Sequence, residues 1–330
     1  MRDCIDIHTH VVPENFPAYA GKGRDVPWPA TAPAHACHRH VMISGKVFRT
    51  VADGAWSVPR RIEAMAAMRV ARQAISPMPE LLSYWLPLDD SKVMIRYLNE
   101  QIAAMIALAP QRFIGLGAVP LQDPDSALRE LEFVLKNLKF AGVEIASHVN
   151  GVSIGDARFE PFFAAAETLG AAVFVHALRP AGQDRIVGAF AEQAVCFPGD
   201  IALAAASMIT GGIAARHPKL RIAFSHGGGA LSILLPRLVQ AWNAIPKARE
   251  SLAESPAVYA RRFFYDALLF DPKATRFVIE SFGSSQVCVG SDYPFNMGDA
   301  DPVATLERVG LEAGVLDAIT SANARRFLDF

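Results

Sequence analysis

Two histidines near the start of the sequence, His8 and His10, have the spacing of metal ligands. They end a hydrophobic, strand-like run that begins at Cys4. Alternate side chains of an extended strand point to the same side, so both imidazoles can face one ion while Ile5 and Ile7 face the opposite way. Two histidines do not complete a metal site, so further ligands have to come from the ends of other strands.

Polar residues also end three later apolar runs, and they are His176, His226 and Asp292. A single histidine in such a run is usually a packed or hydrogen-bonded residue, but the same pattern in four runs indicates one shared site. Three imidazoles and one carboxylate suit a divalent ion that lowers the pKa of a bound water to about 7. We assign His8, His10, His176 and Asp292 to one metal ion, with Zn²⁺ expected and Mn²⁺ as the alternative. His226 would transfer protons beside it.

Eight short apolar or β-branched runs alternate with segments of helical spacing along the chain. This alternation, with strands that are apolar on both faces, predicts an α/β fold of the (β/α)8 TIM-barrel type. The predicted strands are residues 5–8, 70–76, 113–119, 142–147, 172–176, 221–226, 263–267 and 286–291. The predicted helices include residues 90–109, 123–139, 157–169, 201–216 and 272–282. The candidate ligands then lie at the C-terminal ends of strands, where barrel enzymes hold their active sites.

Residues 12–59 interrupt the alternation after the first strand. They are rich in proline, glycine, histidine and aromatic residues and have no long helical pattern. Within them, residues 41–43 and 46–48 flank Ser44-Gly45 and predict a small hairpin. Loops after barrel strands lie on the catalytic face. We therefore treat residues 1–330 as a single barrel domain in which residues 12–59 form an inserted lid subdomain over the site.

Several other histidines are weaker candidates. His35, His38 and His40 form a dense cluster with Cys37, but their spacing suits no compact four-ligand set, so we interpret them as part of a solvated or lid-lining loop. His148 follows the fourth strand and is a secondary candidate for the site. No lysine ends that strand, so a carbamylated lysine that bridges two metals has no evident source. We therefore expect one metal ion.

The glycines at positions 227–229, directly after His226, have two interpretations. Glycine permits a tight turn and lets a substrate approach the backbone closely. A plain flexible turn would have the same composition. The sequence leaves both possibilities open.

The composition argues against several classes of protein. Lysine and arginine number 32 and aspartate and glutamate number 33, so the net charge of −1 argues against nucleic acid or an acidic membrane surface as a partner. The four cysteines have no short paired spacing, which favours reduced thiols. The N-terminus has no apolar signal segment, and the most apolar stretch, residues 201–209, is too short to cross a bilayer. We therefore expect a cytoplasmic enzyme with a small-molecule substrate.

With these residues in place, the sequence resembles the amidohydrolase superfamily over essentially its whole length. The motifs that carry the resemblance are Asp6-x-His8-x-His10, His176 at the end of the fifth strand, Ser-His-Gly-Gly-Gly at 225–229 and Gly-Ser-Asp-Tyr-Pro-Phe at 290–295. The last two runs resemble the branch typified by α-amino-β-carboxymuconate-ε-semialdehyde decarboxylase. The resemblance implies the same single-metal site on a barrel.

The resemblance also implies two arginines that bind the carboxylates of the substrate. Arg49, in Phe-Arg-Thr-Val at 48–51, and Arg237, on the helix after the glycine run, match these positions. A guanidinium makes two charge-assisted hydrogen bonds to a carboxylate. In the family the second arginine reaches the site of a neighbouring subunit, which implies a homodimer. The family's proline and tryptophan after His176 are replaced here, and Arg179 in this loop either contacts a further carboxylate or faces solvent.

These observations predict a metal-dependent, non-oxidative decarboxylase, a carboxy-lyase. Its substrate would be a small conjugated or aromatic carboxylic acid of the carboxymuconate-semialdehyde or hydroxybenzoate type. His226 and the metal ligand Asp292 would be the catalytic groups, and Arg49 and Arg237 would bind the substrate. The alternative is a metal-dependent hydrolase that opens a lactone or an amide on the same scaffold, and the paired arginines favour decarboxylation over it.

Overall fold

The computed structural model describes residues 3–23, 25–188 and 190–330. Their strands are β1 (Ile5–Val11), β2 (Ala30–Pro33), β3 (His38–Ile43), β4 (Lys46–Ala52), β5 (Arg72–Pro77), β6 (Phe113–Gly117), β7 (Gly142–Ala146), β8 (His148–Val149), β9 (Val152–Ser153), β10 (Ala172–His176), β11 (Arg221–Phe224), β12 (Phe264–Asp266) and β13 (Val287–Cys288). Their α-helices are α1 (Val58–Ala67), α2 (Leu88–Leu108), α3 (Pro124–Lys136), α4 (Glu160–Leu169), α5 (Phe197–Thr210), α6 (Ile213–Arg216), α7 (Leu231–Ala244), α8 (Pro246–Ser251), α9 (Pro256–Ala260), α10 (Pro272–Phe282), α11 (Pro302–Glu307), α12 (Ala313–Asp317) and α13 (Asn323–Leu328). Short 3₁₀ or π turns lie at Asp53–Ala55, Pro79–Leu81, Ala157–Phe159, Gln183–Arg185, Glu192–Cys196, His226–Gly228, Ser284–Gln286 and Ala318–Ala322.

Eight parallel strands form the central barrel, in the order β1, β5, β6, β7, β10, β11, β12 and β13. The sheet closes between its first and last strands. There the Ile7 N–H donates to the Val289 carbonyl at 2.9 Å, and the His10 N–H donates to the Tyr293 carbonyl at 2.7 Å. Helices connect successive barrel strands on the outside. The predicted (β/α)8 fold is confirmed.

The local predictions agree with the structure in most places. All eight predicted strand runs overlap barrel strands, and the helix predicted at residues 272–282 is α10. The prediction of one helix at residues 201–216 is wrong in one respect, because the structure divides this segment into α5 and α6. Gly212 lies between them with a φ of 78°, a left-handed conformation that ends a regular α-helix.

Apolar side chains fill both faces of the barrel strands. Inside the barrel, Ile5, Leu116 and Phe174 pack with Phe327 and Leu328 of α13. A second and larger cluster fills the space between the strands and the outer helices. This packing explains why the strands are apolar on both faces, and it leaves the C-terminal ends of the strands for polar side chains.

The insertion between β1 and α1 contains the small antiparallel sheet β2–β3–β4. Its β3–β4 pair is the predicted hairpin, and Ser44 and Gly45 in the turn have φ values of 53° and 70°. Two positive φ values are typical of the turn type that joins tight hairpins. Val41 of this sheet packs in one cluster with Met78 and Leu81, which follow β5. The insertion is thereby attached to the barrel beside the C-terminal end of β5.

One helix in the described part of the chain, Glu192–Thr210, is long and apolar enough to cross a membrane by length and composition alone. This helix is longer than the apolar stretch at residues 201–209, because the π turn at Glu192–Cys196 precedes α5. Ile201, Ala205 and Met208 of α5 are buried in the layer between the barrel strands and the helices. The helix is therefore an element of the barrel, with its inner face in the core.

Candidate metal centre and active site

The structure brings the four predicted metal ligands together at one point. His8 and His10 lie on β1, His176 ends β10, and Asp292 follows β13. One ligand atom from each lies within 4.8 Å of the others, and all four residues are buried. His10 Nε2 is 3.1 Å from both His8 Nε2 and Asp292 Oδ1. The chain therefore has a compact cluster of the composition that divalent metals prefer.

The way β1 presents its two histidines differs from the prediction. Ile5 and Ile7 do not face away from them, since both pack in the cluster inside the barrel. The register of β1 against β5 shifts between Asp6 and Thr9, where β1 contains one residue more than its partner. Such a β-bulge reverses the alternation of side chains along one strand. Ile7 therefore belongs to the interior packing, and His8 and His10 still point to the site.

Hydrogen bonds to Nδ1 set the tautomer of each ligand histidine. Nδ1 of His8 lies 2.6 Å from Asp266 Oδ2, Nδ1 of His10 lies 3.1 Å from the Pro77 carbonyl, and Nδ1 of His176 lies 2.7 Å from the Ala177 carbonyl. These oxygens only accept hydrogen bonds, so each Nδ1 carries the proton and Nε2 presents a lone pair. This arrangement is usual for histidines that bind metal through Nε2.

Unpaired polar atoms at the centre of the cluster support the same interpretation. His176 Nε2 and Asp292 Oδ1 are buried and have no hydrogen-bond partner among the described residues. Between His8 and His10, two Nε2 atoms face each other at 3.1 Å. Buried polar groups without partners are rare in folded proteins, and a cation at this point would satisfy these atoms together. The residues present therefore fit a divalent metal ion.

The charges around the cluster are those of a cation site. Burial would raise the pKa of Asp292, but the adjacent His10 and His8 outweigh burial and hold this pKa well below its usual value. Burial opposes protonation of His8, yet its hydrogen bond to Asp266 and the nearby charge of Asp292 raise its pKa to about 10. The site thus holds buried carboxylates that attract positive charge, whether a proton or a metal ion carries it.

His226 lies beside the cluster and is not one of its four ligands. Its ring centroid is 5.0 Å from that of His176 and 5.4 Å from that of His8. Burial, together with the nearby charge of His8, lowers the pKa of His226 to about 4. Its imidazole is therefore neutral at pH 7 and able to accept a proton, which is the state required of a proton-transfer group.

The glycines after His226 are required by the backbone. Gly227, Gly228 and Gly229 have φ values of 63°, 76° and 58°. A Cβ on Gly229 would lie 1.9 Å from the Pro198 carbonyl oxygen. Of the two interpretations that the sequence leaves open, the structure thus favours a tight turn of defined geometry over a flexible one. This turn places His226 beside the metal ligands.

Two buried acids beside the site were missed by the sequence analysis. Asp266 on β12 bonds to His8 and also accepts hydrogen bonds from the N–H groups of His226 and Gly227, at 2.9 and 2.8 Å. Glu144 on β7 lies 3.5 Å from His10 Nδ1, and burial raises its pKa to about 8. Each is a single acid in an apolar run, and that pattern could have marked both as candidates.

Arg49 lies close to the cluster. Its guanidinium is 4.4 Å from the ring centroid of Phe295, and the Phe295 ring stacks on the ring of His10 at 5.3 Å. Its Nη2 is 3.7 Å from Glu80 Oε1. The insertion thereby delivers a cationic side chain to the rim of the site.

Arg237 is not brought to the cluster within one chain. It is exposed on α7 and makes no hydrogen bond or ion pair with the residues described in the structure. Ile233 and Leu234, one turn earlier, are exposed as well. The role that the resemblance implies for Arg237, in the site of a neighbouring subunit, therefore stays a prediction.

The remaining candidates lie outside the cluster. The ring centroids of His35 and His38 lie 4.0 Å apart in the insertion, with the rings tilted by 35°. Among the described residues, the only group of three or more potential metal ligands is the four-residue cluster. His148 Nε2 lies 3.0 Å from the Arg179 carbonyl oxygen. The Arg179 guanidinium lies 3.4 Å from the ring centroid of Trp85.

Comparison with known proteins identifies the family. Residues 5–330 match the model of the amidohydrolase family. The chain belongs to this family. A curated relative, the 2-amino-3-carboxymuconate-6-semialdehyde decarboxylase of Dictyostelium discoideum, is 34% identical over 306 residues, which cover 92% of this chain and 85% of the relative. The predictions of an amidohydrolase family member and of a carboxy-lyase agree with this relative.

Solved structures of other amidohydrolase-fold proteins share the barrel. The 5-carboxyvanillate decarboxylase of Sphingomonas paucimobilis superimposes with a TM-score of 0.80 at 23% identity, covering 100% of both chains. A dihydroxybenzoic acid decarboxylase of Polaromonas sp. JS666, with bound manganese, has a TM-score of 0.76 at 19% identity and covers 100% of this chain and 97% of its own. At these identities the likeness establishes the fold.

Proposed function

We propose that this amidohydrolase-family protein is a metal-dependent, non-oxidative decarboxylase of a small conjugated carboxylic acid. The observation that carries the proposal is the four-ligand cluster in a chain that is 34% identical to a carboxymuconate-semialdehyde decarboxylase over 92% of its length. Carboxymuconate semialdehydes are accordingly the first substrate class, and hydroxybenzoates are the close variant. The quoted relatives supply no observation that favours the hydrolase alternative.

Decarboxylation without oxidation needs only positioned charges and one proton. The bond between the carboxylate carbon and the substrate breaks, and its electron pair stays with the conjugated system. A proton then replaces the carboxylate at that carbon, so the overall change is the loss of carbon dioxide with no oxidant consumed. A divalent ion held by His8, His10, His176 and Asp292 would supply Lewis-acid stabilisation of the negative charge that develops.

The protein's own residues would bind the substrate and move the proton. Arg49 would bind a carboxylate through two charge-assisted hydrogen bonds, and its contact with Phe295 would fix the plane of the guanidinium. Ser225 Oγ lies 3.5 Å from His226 Nδ1, so Nε2 is the nitrogen that would carry the proton. The neutral imidazole would accept this proton from water and pass it to the substrate carbon. Residues 12–59, which contain Arg49, would serve as the lid that excludes water from the site.

We assign Zn²⁺ as the first candidate ion and Mn²⁺ as its competitor. Three imidazole nitrogens and one carboxylate oxygen suit zinc, and they leave room for a substrate oxygen. Manganese is supported by its presence in the Polaromonas decarboxylase of the same fold. Metal analysis of the purified protein, followed by activity measurements after exchange of one ion for the other, separates the two.

A homodimer and a reducing compartment complete the proposal. The exposed Arg237, with Ile233 and Leu234 on the same helix, would lie against a second copy of the chain and reach its site. Cys4, Cys37, Cys196 and Cys288 are free thiols. Free thiols support a cytoplasmic location, since oxidising compartments favour disulfides.

The proposal is tested by measuring carbon dioxide release under anaerobic conditions. The metal-reconstituted protein would be supplied with 2-amino-3-carboxymuconate 6-semialdehyde, 2,6-dihydroxybenzoate and 6-methylsalicylate, and the products identified by mass. We expect one carbon dioxide per product from at least one of these acids. We expect a loss of at least 100-fold in kcat for His226→Asn, the scale typical of general acid–base catalysis.

The matched control for this test is His217→Asn. His217 is a partly buried histidine that lies 3.2 Å from Glu167, away from the cluster. It should retain wild-type activity. Hydrolysis of lactones without carbon dioxide release from any of the acids would replace the proposed function with the hydrolase alternative.

A further inference from the structure

Glu80 is a buried acid beside the candidate site with no assigned role. It lies in the 3₁₀ turn Pro79–Leu81, directly after β5, and only 8% of its surface is exposed. The Met78 N–H donates to the Val11 carbonyl at 2.9 Å, which ties this turn to the end of β1 and so to the strand of His8 and His10. Glu80 therefore lies at the C-terminal end of the barrel, where substrates bind.

The two carboxylate oxygens of Glu80 differ in their surroundings. Oε1 is 3.7 Å from Arg49 Nη2, which is an ion-pair distance and too long for a hydrogen bond. Oε2 is buried and has no hydrogen-bond partner among the described residues. A buried acceptor without a partner is destabilising by about 1–3 kcal/mol, so its retention in a fold calls for an explanation.

Charged groups of both the metal cluster and the rim of the site act on Glu80. Burial raises the pKa of Glu80, Arg49 and Arg179 attract the negative charge of its ionised form, and Asp292 and Glu192 repel that charge. Glu80 is not among the four metal ligands. Trp85 Nε1, five residues along the chain, is a further buried polar atom with no hydrogen-bond partner in the described part of the chain, and its ring lies under the guanidinium of Arg179. Glu80 thus provides an unused acceptor beside Arg49, and Trp85 provides an unused donor beside Arg179.

We propose that Glu80 is a specificity-determining residue whose Oε2 accepts a hydrogen bond from an N–H or O–H group of the substrate. This inference rests on the proposed function. A carboxylate bound to Arg49 would bring the neighbouring position of the substrate close to Glu80, because Glu80 Oε1 lies 3.7 Å from Arg49 Nη2. A second carboxylate there would meet a like charge and leave the acceptor unpaired, whereas an amino or hydroxyl group would satisfy it. The preferred substrates are therefore carboxylic acids with an amino or hydroxyl group next to the carboxylate that Arg49 binds.

A purely structural role for Glu80, holding Arg49 in place, makes a different prediction. In that case removal of Glu80 would weaken the binding of every carboxylate by the same factor, because all of them use Arg49. In the proposed role, removal of Glu80 changes binding only for ligands with the hydrogen-bond donor. The dependence on ligand structure therefore separates the two roles.

The experiment measures dissociation constants by calorimetry for benzoate and for its 2-, 3- and 4-hydroxy and amino derivatives. The metal-loaded wild-type protein is compared with Glu80→Leu, which removes the acceptor, and with Glu80→Gln, which keeps one uncharged acceptor. We expect a donor at one ring position to tighten wild-type binding about tenfold, as hydrogen bonds to charged groups typically do. That gain should disappear in Glu80→Leu and persist in part in Glu80→Gln, while benzoate itself binds with similar affinity to all three.

The control is Glu14→Leu, which removes another ion pair of the insertion, between Glu14 and Arg39 at 2.9 Å. It should leave every constant unchanged, and thermal melting verifies that each variant is folded. The proposal is wrong if no derivative binds more tightly than benzoate, or if the gain survives in Glu80→Leu. Because the measured quantity is the dissociation constant and not the release of carbon dioxide, the proposed decarboxylation can fail while this result stands, and the reverse also holds.

Discussion

Asp266 joins a predicted metal ligand to the predicted proton-transfer residue through one carboxylate. Its Oδ2 lies 2.6 Å from His8 Nδ1 and accepts the His226 N–H at 2.9 Å, and its Oδ1 accepts the Gly227 N–H at 2.8 Å. The tautomer of His8 and the position of the His226 backbone therefore depend on the same side chain. Partners of this kind tune metal affinity as well as geometry.

Replacement of Asp266 by asparagine should weaken metal binding about 10- to 100-fold. The amide keeps a similar shape but loses the negative charge that polarises His8. The affinity is measured by titration against a chelator of known strength. The matched control is Asp271→Asn, since Asp271 caps α10 at the surface and asparagine caps a helix equally well. An unchanged affinity in Asp266→Asn would show that this contact has no influence on the metal.

Loss of a ligand itself should be more severe. We expect His8→Ala and Asp292→Ala each to lose the bound ion on dialysis, because each removes one of the four protein ligands. Elemental analysis gives the metal per chain, with His217→Ala as a folded control. Full metal content in either variant would refute the assigned ligand set.

At the scale of elements, two local irregularities present the site. The β-bulge in β1 lets Ile7 and His8 both face the barrel interior. The turn after β11 then places His226 against the same cluster, through three residues with positive φ at positions 227–229. Regular strands and helices form the scaffold, and the bulge in β1 and the turn after β11 orient the histidine side chains toward the site.

The turn is tested by Gly229→Ala. Alanine has to adopt a φ of 58° and a ψ of −132°, and its Cβ would meet the Pro198 carbonyl oxygen. We expect the free energy of unfolding to fall by at least about 1–3 kcal/mol, measured by urea denaturation. Activity should fall as well, because His226 moves.

A second glycine provides the control for this prediction. Gly314 lies within α12, and a Cβ there has no neighbour within 4 Å. Gly314→Ala should therefore leave stability unchanged or raise it by up to about 1 kcal/mol, since alanine favours the helix. Equal effects of the two substitutions would contradict a geometric requirement at Gly229.

At the scale of the whole molecule, the second arginine that the resemblance implies is not brought to the site of its own chain. Arg49 reaches the cluster through the insertion, while Arg237 is exposed on α7. A symmetric dimer that places α7 of one copy over the barrel of the other would complete both sites at once, as an isologous interface requires. The exposed Ile233 and Leu234 would then be covered.

Shared sites are tested by mixing two inactive variants. Arg237→Ala and His226→Ala should each lose activity, while a mixture that has exchanged subunits should recover about a quarter of the wild-type value. Half of the dimers in an equal mixture are hybrids, and each hybrid has one complete site out of two. Native mass spectrometry verifies the exchange. No recovery after confirmed exchange would mean that Arg237 does not serve a neighbouring site.

The site residues that the sequence analysis found and those that it missed differ in the kind of signal they leave. His8, His176 and Asp292 were found because each ends a separate apolar run, and barrel strands bring such ends together. Asp266 and Glu80 were missed, since one acid in or after an apolar run does not reveal what it faces. The partner of Asp266 in the site, His8, lies 258 residues away along the chain.

The sequence by itself determined the barrel, the β3–β4 hairpin and which four residues form the cluster, because periodicity, turn residues and strand ends are local properties. The tertiary structure alone decided the bulge in β1, the protonated nitrogen of each ligand histidine and the neighbours of Arg49. These depend on register and on contacts between distant segments, which no local pattern encodes. The spacing of His8 and His10 therefore predicts metal ligands, whereas the way in which β1 presents these side chains follows only from the tertiary structure.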